Sequence, residues 1–272
     1  MLQATNLEFS YGSTPVLRDV SLNVPAGSVL GVLGPNGSGK TTLLKVLSGT
    51  LRPSRGALTI DGQDLAATPR RDLARRMAVV PQETHLTFDY SVLEVVLMGR
   101  YPHLRTFEIE GPGDIEIARQ ALAATGTSAF EDRQFATLSG GEKQRVVIAA
   151  ALAQVTGAQG TAGSYLLLDE PTAALDLAYQ IEIASLLRDL QRRTPITTVI
   201  STHDLNFAAG LCRSLVLLSA GRVVAAGGVP EVLTPSNIRR LYGVEADVRQ
   251  HEGAGHLVVV PIARAPGDAQ NG

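Results

Sequence analysis

The sequence predicts an α/β fold with a core of mixed and parallel strands, an antiparallel β-subdomain at the N-terminus and an inserted helical subdomain. The first observation is a glycine-rich loop at 34–42, which lies between an apolar strand-like run and a helical run. The second is the loose alternation of apolar and polar residues in 2–11 and 20–24, which is typical of antiparallel strands. The third is a change of pattern at 83–155, where helical periods replace β-branched runs.

The composition indicates a folded chain with a sizeable core. Its 272 residues suit one large domain, and its 44% apolar and 18% charged residues exclude wholesale disorder. The net charge of −2 argues against a nucleic-acid partner bound through bulk charge. The single cysteine, Cys212, allows no internal disulfide and fits a reducing compartment. Because no signal peptide is visible and no apolar run approaches the ~20 residues of a membrane span, we expect membrane association only through a partner.

The loop at 34–42 matches the phosphate-binding template of a glycine, four residues, Gly-Lys and then Ser or Thr. Its residues are Gly34, Pro35, Asn36, Gly37, Ser38, Gly39, Lys40, Thr41 and Thr42. The glycines let backbone N–H groups turn inward, and the helix that follows favours an anion at its N-terminus. We expect Lys40 to reach the β- and γ-phosphates of a nucleotide and the Thr41 hydroxyl to hold Mg²⁺. The alternative, a glycine-rich turn without a ligand, is disfavoured by the flanking strand at 28–33 and helix at 41–47.

Further elements are predicted in order along the chain. Strands are predicted at 57–60, 77–81, 165–168, 197–201, 215–218, 222–225 and 256–262. Helices are predicted at 70–76, 92–98, 115–124, 140–153 and 177–193, with one or two short helices at 230–242. The basic helix at 70–76 is typical of a solvated face, and we expect a flexible connector at 155–164 and disorder from 266 onward. Four histidines are predicted to lie in solvated loops: His85, His103, His251 and His256.

Two acidic residues follow the apolar strand at 165–168. A strand of this kind delivers Asp169 to the edge of the sheet, where its carboxylate can hold Mg²⁺ through water. Glu170 comes next and points in a different direction, which suits it to polarise a water that attacks a γ-phosphate. The alternative, an acid that only caps the next turn, is disfavoured by the phosphate-binding loop upstream.

A second candidate phosphate site lies at the start of the helix at 140–153. Ser139 and Glu142 have the spacing of a capping box, and a plain cap is the simpler interpretation. However, Gly140 and Gly141 each lower helix propensity by about 1 kcal/mol, which a plain cap does not require. Two glycines at a helix N-terminus also open the backbone to a phosphate. Since the chain has one lysine-bearing loop, we expect a homodimer in which each Ser139 segment closes over the nucleotide of the other copy.

Taken together, these motifs resemble those of the nucleotide-binding subunit of an ATP-binding-cassette (ABC) transporter, over about residues 2–245. The resemblance implies ATP and Mg²⁺ as ligands. For binding, it implies that Tyr11 stacks on adenine, that 34–42 is the Walker A loop, that 138–142 with Lys143, Gln144 and Arg145 is the signature motif, and that 174–176 is the D-loop with Asp176 near the nucleotide. For catalysis, it implies that Gln82 is the Q-loop residue, that 166–169 is Walker B, that Glu170 is the catalytic base and that His203 is the switch that contacts the γ-phosphate. Gln82 senses Mg²⁺ and the membrane partner in this scheme. Ala173 and Ala174 stand where serine often begins the D-loop.

The resemblance also implies domains, partners and location. We expect a P-loop NTPase core of the RecA-like type at 1–82 and 165–228, a helical subdomain at 83–155, and a partly disordered C-terminal extension at 246–272. The expected partners are a second copy of the chain, two transmembrane permease subunits and, indirectly, a periplasmic or surface substrate-binding protein; no nucleic acid is expected. The expected location is the cytoplasmic face of a bacterial inner membrane, where the chain would be peripheral through its permease.

Two segments suggest the class of transporter. Residues 92–103 and 234–244 resemble the corresponding segments of importers for iron–siderophores, haem and cobalamin. The block near 83–103 is where such subunits meet their permease, so it reflects the partner rather than the cargo, which never touches this chain. An exporter subunit and a soluble ABC ATPase that serves as an assembly or interaction factor remain alternatives. The sequence does not distinguish among the chelates.

Overall fold

The structure is a computed structural model that describes residues 1–84, 86–157, 160–173 and 175–265. These residues form two compact units: one comprises 1–64 and the chain from 199 onward, and the other comprises 65–198. The strands, in chain order, are β1 (Leu2–Tyr11), β2 (Thr14–Val24), β3 (Val29–Leu33), β4 (Arg55–Ile60), β5 (Gln63–Asp64), β6 (Met77–Val80), β7 (Tyr165–Asp169), β8 (Thr197–Thr202), β9 (Ser214–Ser219), β10 (Arg222–Gly228), β11 (Val244–His251) and β12 (His256–Arg264).

The α-helices fall between these strands and confirm the predicted α/β class. In chain order they are α1 (Lys40–Leu47), α2 (Arg70–Arg76), α3 (Val92–Leu97), α4 (Pro112–Ala124), α5 (Gly140–Val155), α6 (Leu177–Arg193), α7 (Leu205–Leu211), α8 (Val229–Val232) and α9 (Pro235–Tyr242). No helix in the described ranges combines the length and apolarity that crossing a bilayer requires.

The first unit opens with an antiparallel sheet, as the sequence predicts. Its strand order is β2-β1-β4-β5, and alternate residues of β1 such as Leu2 and Leu7 are fully buried. The predicted strand at 20–24 is too short, because β2 begins at Thr14. Bulges along the β1–β2 pairing and the positive φ of Asp19 (59°) break the period of two over the first half of β2, which hides it from the sequence pattern.

A second sheet of the first unit contains the strand that leads to the phosphate-binding loop. Its order is β10-β9-β3-β8, with β3 parallel to β9 and β9 antiparallel to β10. All five residues of β3 are buried. Such a strand, apolar on both faces, is typical of the parallel core of an α/β sheet. The mixture of parallel and antiparallel strands confirms the predicted core.

The C-terminal part of the first unit contains two elements that the sequence pattern did not predict. Strand β11 pairs antiparallel with β12. Val244, Ala246 and Val248 alternate with polar residues, but the run is short and ends in three polar residues, so it was not recognised as a strand. Helix α7 has only seven residues and contains Gly210, so it is too short for a clear helical period. The predicted disorder from 266 onward lies outside the described residues.

The second unit joins a parallel strand pair to a set of helices. Strands β6 and β7 pair in parallel, with Val80 opposite Leu168. Helices α3, α4 and α5 confirm the helices predicted at 92–98, 115–124 and 140–153, and α4 begins three residues earlier, where proline occupies its first turn. The predicted limits of the helical subdomain, 83–155, remain a prediction.

The prediction of solvated loops holds only in part for the described histidines: His103 lies in a turn but is half-buried, His251 is exposed but ends a strand, and His256 is a half-buried strand residue. The Nε2 atom of His103 lies 2.7 Å from the Gln154 carbonyl oxygen. Burial lowers the pKa of His103, although the hydrogen bond to Gln154 opposes that shift. His251 and His256 belong to β11 and β12, where they pair with each other across the hairpin. His85 lies outside the described residues.

Candidate functional site

The predicted phosphate-binding loop lies between β3 and α1 in the first unit. Lys40 is the first residue of α1 and is 5% exposed. Its Nζ donates to the carbonyl oxygens of Gly34 at 2.8 Å and Pro35 at 3.3 Å. These bonds fold the ammonium group back over the loop. They keep a positive charge beside the N-terminus of a helix, where an anion is stabilised.

The loop requires its glycines for different structural reasons. Gly37 and Gly39 have φ of 76° and 104°, which L side chains rarely adopt. Gly34 has ordinary backbone geometry, but a Cβ there would lie 2.3 Å from the Leu218 carbonyl oxygen and 2.5 Å from Ser38 Oγ. Gly39 occupies the N-cap position, so no cap side chain covers the first N–H groups of α1. The loop therefore has the form of a backbone cradle.

Ser38 supplies an independent indication of a ligand. The residue is 3% exposed, and its Oγ has no hydrogen-bond partner in the described part of the chain. A buried hydroxyl without a partner costs about 1–3 kcal/mol, so a ligand that satisfies it is favoured. A phosphate oxygen held in the cradle would satisfy this hydroxyl. The loop residues therefore fit the triphosphate of ATP.

The loop is supported by the turn between β9 and β10, which sequence reasoning did not include in the site. The Gly221 N–H donates to the Ser38 carbonyl at 3.0 Å, and the Arg18 N–H donates to the Gly221 carbonyl at 2.8 Å. A Cβ on Gly221 would lie 2.0 Å from the Val16 carbonyl oxygen. The sequence signal was an Ala-Gly turn, which indicates a hairpin but gives no sign of its contact with the loop.

Tyr11 and His203 also lie in the first unit. Tyr11 ends β1 with 49% of its surface exposed, and its ring meets Phe9 edge-on at 4.9 Å between centroids. One face of an anchored but exposed ring is suited to stack on a base. His203 is exposed and follows β8, the neighbour of β3 in the strand order. Asp204 caps α7 by accepting hydrogen bonds from the N–H groups of residues 206 and 207, both at 2.9 Å, which fixes the turn that carries His203.

The second unit brings Gln82, Asp169 and Glu170 to one edge of its parallel strand pair. Gln82 comes two residues after β6 and is exposed, while Asp169 ends β7. Since the carboxyl ends of neighbouring parallel strands share an edge, these residues emerge on the same side. Asp169 and Glu170 are 6% and 9% exposed. Carboxylate and amide oxygens on such an edge are the donors that Mg²⁺ prefers, so the chemistry of this set fits the ion.

Glu170 has a strained backbone. Its φ is 47°, in the left-handed region where a glutamate costs of order 1–3 kcal/mol. The turn after it is closed by the Ala173 N–H, which donates to the Glu170 carbonyl at 3.0 Å. The strain turns the Glu170 side chain away from the direction a continued strand would give it. The sequence analysis likewise predicts that the side chains of Asp169 and Glu170 point in different directions.

The signature segment forms the N-terminus of α5 in the second unit. Ser139 and Glu142 make the predicted capping box: the Glu142 N–H donates to Ser139 Oγ at 3.3 Å, and the Ser139 N–H donates to Glu142 Oε2 at 2.7 Å. The pKa of Glu142 is lowered, and the hydrogen bond from the Ser139 N–H is the largest cause. Gly140 is exposed, whereas Gly141 is buried.

Gly141 has a packing role that the sequence did not reveal. A Cβ at this position would lie 2.1 Å from Cδ1 of Tyr179 on α6. The ring of Tyr179 therefore covers the backbone that the sequence reasoning assigned to phosphate binding. Gly140 keeps an open surface at the same helix start, and phosphate binding by Gly141 remains a prediction.

The predicted D-loop leads into α6. Asp176 is the N-cap of α6, and its Oδ1 accepts a hydrogen bond from the Tyr179 N–H at 3.1 Å. Gln180 Nε2 donates to the Leu175 carbonyl oxygen at 3.0 Å, which closes the same turn. Ala174 lies outside the described residues. The first unit thus carries the loop, Tyr11 and His203, and the second unit carries the other predicted site residues.

Comparison with known proteins identifies a family and a relative of nearly full length. The family model described as "ABC transporter" matches residues 17–173. The "hemin import ATP-binding protein" of Gloeobacter violaceus is 43% identical over 266 residues, which cover 97% of this chain and 95% of that protein.

Two solved structures share the fold. One is described as an ABC transporter of the metal-chelate type in an inward-facing conformation; its chain is 32% identical, with 96% of each chain covered and a TM-score of 0.82. The other is a dimeric ATP-binding cassette in a post-hydrolysis state bound to ADP and phosphate; it is 27% identical, with 84% of this chain and 99% of that chain covered and a TM-score of 0.70.

Proposed function

The chain belongs to the ABC transporter family of ATPases, and we propose that it is the ATP-hydrolysing subunit of an importer for a metal chelate. Haem is the first candidate cargo, since the relative that matches almost the full length is named for hemin import. Iron–siderophores and cobalamin are the other candidates, because the segments at 92–103 and 234–244 resemble importers of all three cargos.

The observation that carries ATP binding is the phosphate-binding loop. Its backbone cradle has a buried lysine folded over it and a buried serine hydroxyl, Ser38, that lacks a partner in the described structure. The phosphate oxygens of a triphosphate would accept hydrogen bonds from this hydroxyl and from the N–H groups at the start of α1. The exposed ring of Tyr11 is available to stack on adenine.

In the proposed mechanism the chain's residues position the triphosphate and the attacking water. Lys40 and His203 offset negative charge that develops on the γ-phosphate, and Glu170 orients the water for in-line attack. Thr41, Gln82 and Asp169 are the residues that would hold Mg²⁺, which when bound offsets the charge of the β- and γ-phosphates. The burial of Glu170 strengthens its interaction with that water, because little bulk solvent competes.

The proposed assembly is a homodimer with two ATP molecules between the copies. Each chain supplies one lysine-bearing loop and one capped helix start at Ser139, with Gly140 exposed beside it. A dimer lets the Ser139 segment of one copy close over the nucleotide in the loop of the other. The dimeric cassette described above, which holds ADP and phosphate, supports this arrangement.

The proposed partners are two transmembrane permease subunits and a substrate-binding protein that acts on the permease from the opposite side. The dimer would lie at the cytoplasmic face of a bacterial inner membrane, attached only through the permease. Closure on ATP and reopening after hydrolysis would drive the permease between its two orientations. The cargo would never contact this chain.

The test is ATP hydrolysis by this subunit assembled with its permease in liposomes. Binding protein loaded with haem, ferric siderophore or cobalamin is added in turn, and Glu170→Gln serves as the hydrolysis-deficient control. We expect stimulation by one cargo, haem first, and none in the control. A steady rate that responds to no cargo would contradict chelate import and favour the exporter or the soluble factor.

A further inference from the structure

We propose that Tyr179 is a positioning residue that holds the Ser139 hydroxyl in the orientation needed to bind the γ-phosphate of ATP on a second copy. The inference rests on the proposed function, because it takes the Ser139 segment as the part that closes over the nucleotide. It goes further in assigning a role to a residue on α6, outside the motifs described above. Tyr179 itself would touch neither ATP nor the attacking water.

The direct contact is between two hydroxyl groups. Ser139 Oγ donates to Tyr179 Oη at 3.2 Å. The ring of the same tyrosine lies over Gly141, where a Cβ would come within 2.1 Å of Cδ1 and 2.4 Å of Cγ. One side chain on α6 therefore contacts both the hydroxyl and the backbone at the start of α5.

The position of Tyr179 is supported by its own helix cap and by a second link between α5 and α6. Asp176, in the predicted D-loop, accepts a hydrogen bond from its backbone N–H at 3.1 Å. One turn further along each helix, Arg145 Nη1 on α5 lies 3.7 Å from Glu182 Oε2 on α6. The D-loop cap, the tyrosine and the serine thus form a continuous chain of contacts. A shift of the D-loop would move the ring and, through it, the Ser139 hydroxyl.

Hydrogen-bond accounting explains why the contact suits a phosphate-binding serine. A serine hydroxyl has one proton to donate and can accept two hydrogen bonds. In the structure, Ser139 Oγ accepts a hydrogen bond from the Glu142 N–H and donates one to Tyr179 Oη. With a phosphate oxygen in place, the Ser139 proton can turn to the phosphate while the Tyr179 hydroxyl rotates to donate to Ser139. All three hydrogen-bonding positions of Ser139 are then satisfied, and its orientation is fixed.

The decisive variant is Tyr179→Phe, which keeps the ring over Gly141 and removes only the hydroxyl. We expect kcat of the permease-assembled ATPase to fall about fivefold, the scale of one neutral hydrogen bond. Binding of ADP to the isolated subunit should not change, because ADP occupies the phosphate-binding loop of one chain without the γ-phosphate. Tyr242→Phe on α9 removes the same atom elsewhere and is the matched control. Its kcat should equal that of the wild type.

A double-mutant cycle with Ser139→Ala separates positioning from folding. If Tyr179 acts through Ser139, adding Tyr179→Phe to Ser139→Ala should cause no further loss of kcat. The inference is overturned if Tyr179→Phe leaves kcat unchanged, or if its loss is the same in both backgrounds. If Ser139→Ala alone leaves the ATPase at the wild-type rate, the proposed closure over Ser139 fails, and the role of Tyr179 fails with it. A loss with Ser139→Ala but none with Tyr179→Phe overturns only the inference.

Discussion

Arg100 is the residue whose replacement should destabilise the second unit most clearly. Its side chain is almost fully buried, and its Nε donates to Asp114 Oδ1 at 3.0 Å. Its Nη1 donates to the carbonyl oxygens of Ala153 and Thr156, the latter at 2.8 Å, at the C-terminus of α5. Carbonyl groups at a helix end lack intrahelical partners, so one guanidinium both caps α5 and ties it to α4.

Replacing Arg100 by methionine keeps the volume and removes all three interactions. Breaking a buried ion pair by removing one partner costs about 3–5 kcal/mol. Because the Asp114 side chain keeps 19% of its surface exposed, water can partly rehydrate it, so we expect about 3 kcal/mol at neutral pH. That loss is a large share of the ~5–15 kcal/mol that stabilises a typical domain. The measurement is urea denaturation followed by circular dichroism.

The pH dependence provides a second test of the same interaction. Burial alone would raise the pKa of Asp114, but the hydrogen bonds from Arg100 and the Gly111 N–H outweigh it, so the net pKa is lowered. A lowered pKa in the folded state means that the stabilisation is present above the unfolded-state pKa and is lost as pH falls through the folded-state pKa. The difference in stability between wild type and Arg100→Met should therefore shrink on acidification.

The control for Arg100→Met is Arg105→Met, which removes the same charge at an exposed position. Surface changes of this kind usually stay within about 0.5 kcal/mol. The reasoning is refuted if Arg100→Met costs less than about 1 kcal/mol at neutral pH, the scale of a single hydrogen bond. It is refuted equally if the cost does not change as Asp114 is protonated.

Three further predictions concern the nucleotide site and the C-terminal hairpin. Glu170→Gln should leave ATP binding intact and trap a dimer in excess ATP; light scattering that shows only monomer would contradict the proposed sandwich. Gly34→Ala places a Cβ 2.3 Å from the Leu218 carbonyl oxygen, so calorimetry should show at least a roughly tenfold loss of nucleotide affinity, and unchanged affinity would rule out the cradle. The Asn206 side chain accepts a hydrogen bond from the Val259 N–H at 2.8 Å and donates one to the Val259 carbonyl oxygen at 3.3 Å, so Asn206→Ala should lower the free energy of unfolding by about 1–3 kcal/mol in urea denaturation. Asn206→Asp keeps the acceptor and should cost less. Equal losses of stability in the two variants would contradict this assignment.

The elements around the phosphate-binding loop could be predicted from the sequence because their signals are local. A buried apolar strand, glycines and a helix follow one another in β3 and α1, and each has its own pattern. Strand β11 was missed although Val244, Ala246 and Val248 alternate with polar residues, because so short a run with a polar end is a weak signal without its pairing to β12. The first half of β2 escaped prediction because bulges shift its register.

The site residues divide in the same way. Lys40, Asp169 and Glu170 could be predicted as site residues because their spacing from an apolar strand is a property of the local sequence. The contact of Gly221 with the loop and that of Tyr179 with Ser139 join residues 183 and 40 positions apart, respectively. No local pattern records such pairs, so only the folded arrangement reveals them.

The glycines of the two predicted phosphate sites show why residue type alone does not establish a role. Gly37 and Gly39 are needed for their own backbone angles, whereas Gly34 and Gly141 are needed because a distant residue occupies the space of a Cβ. At Gly34 that neighbour is a backbone carbonyl, which has little freedom to move. At Gly141 it is the ring of Tyr179, which also holds the Ser139 hydroxyl. Gly141 therefore admits the ring that also contacts the serine, and in the proposed dimer phosphate recognition at this helix start would depend on α6 as well as on the signature segment.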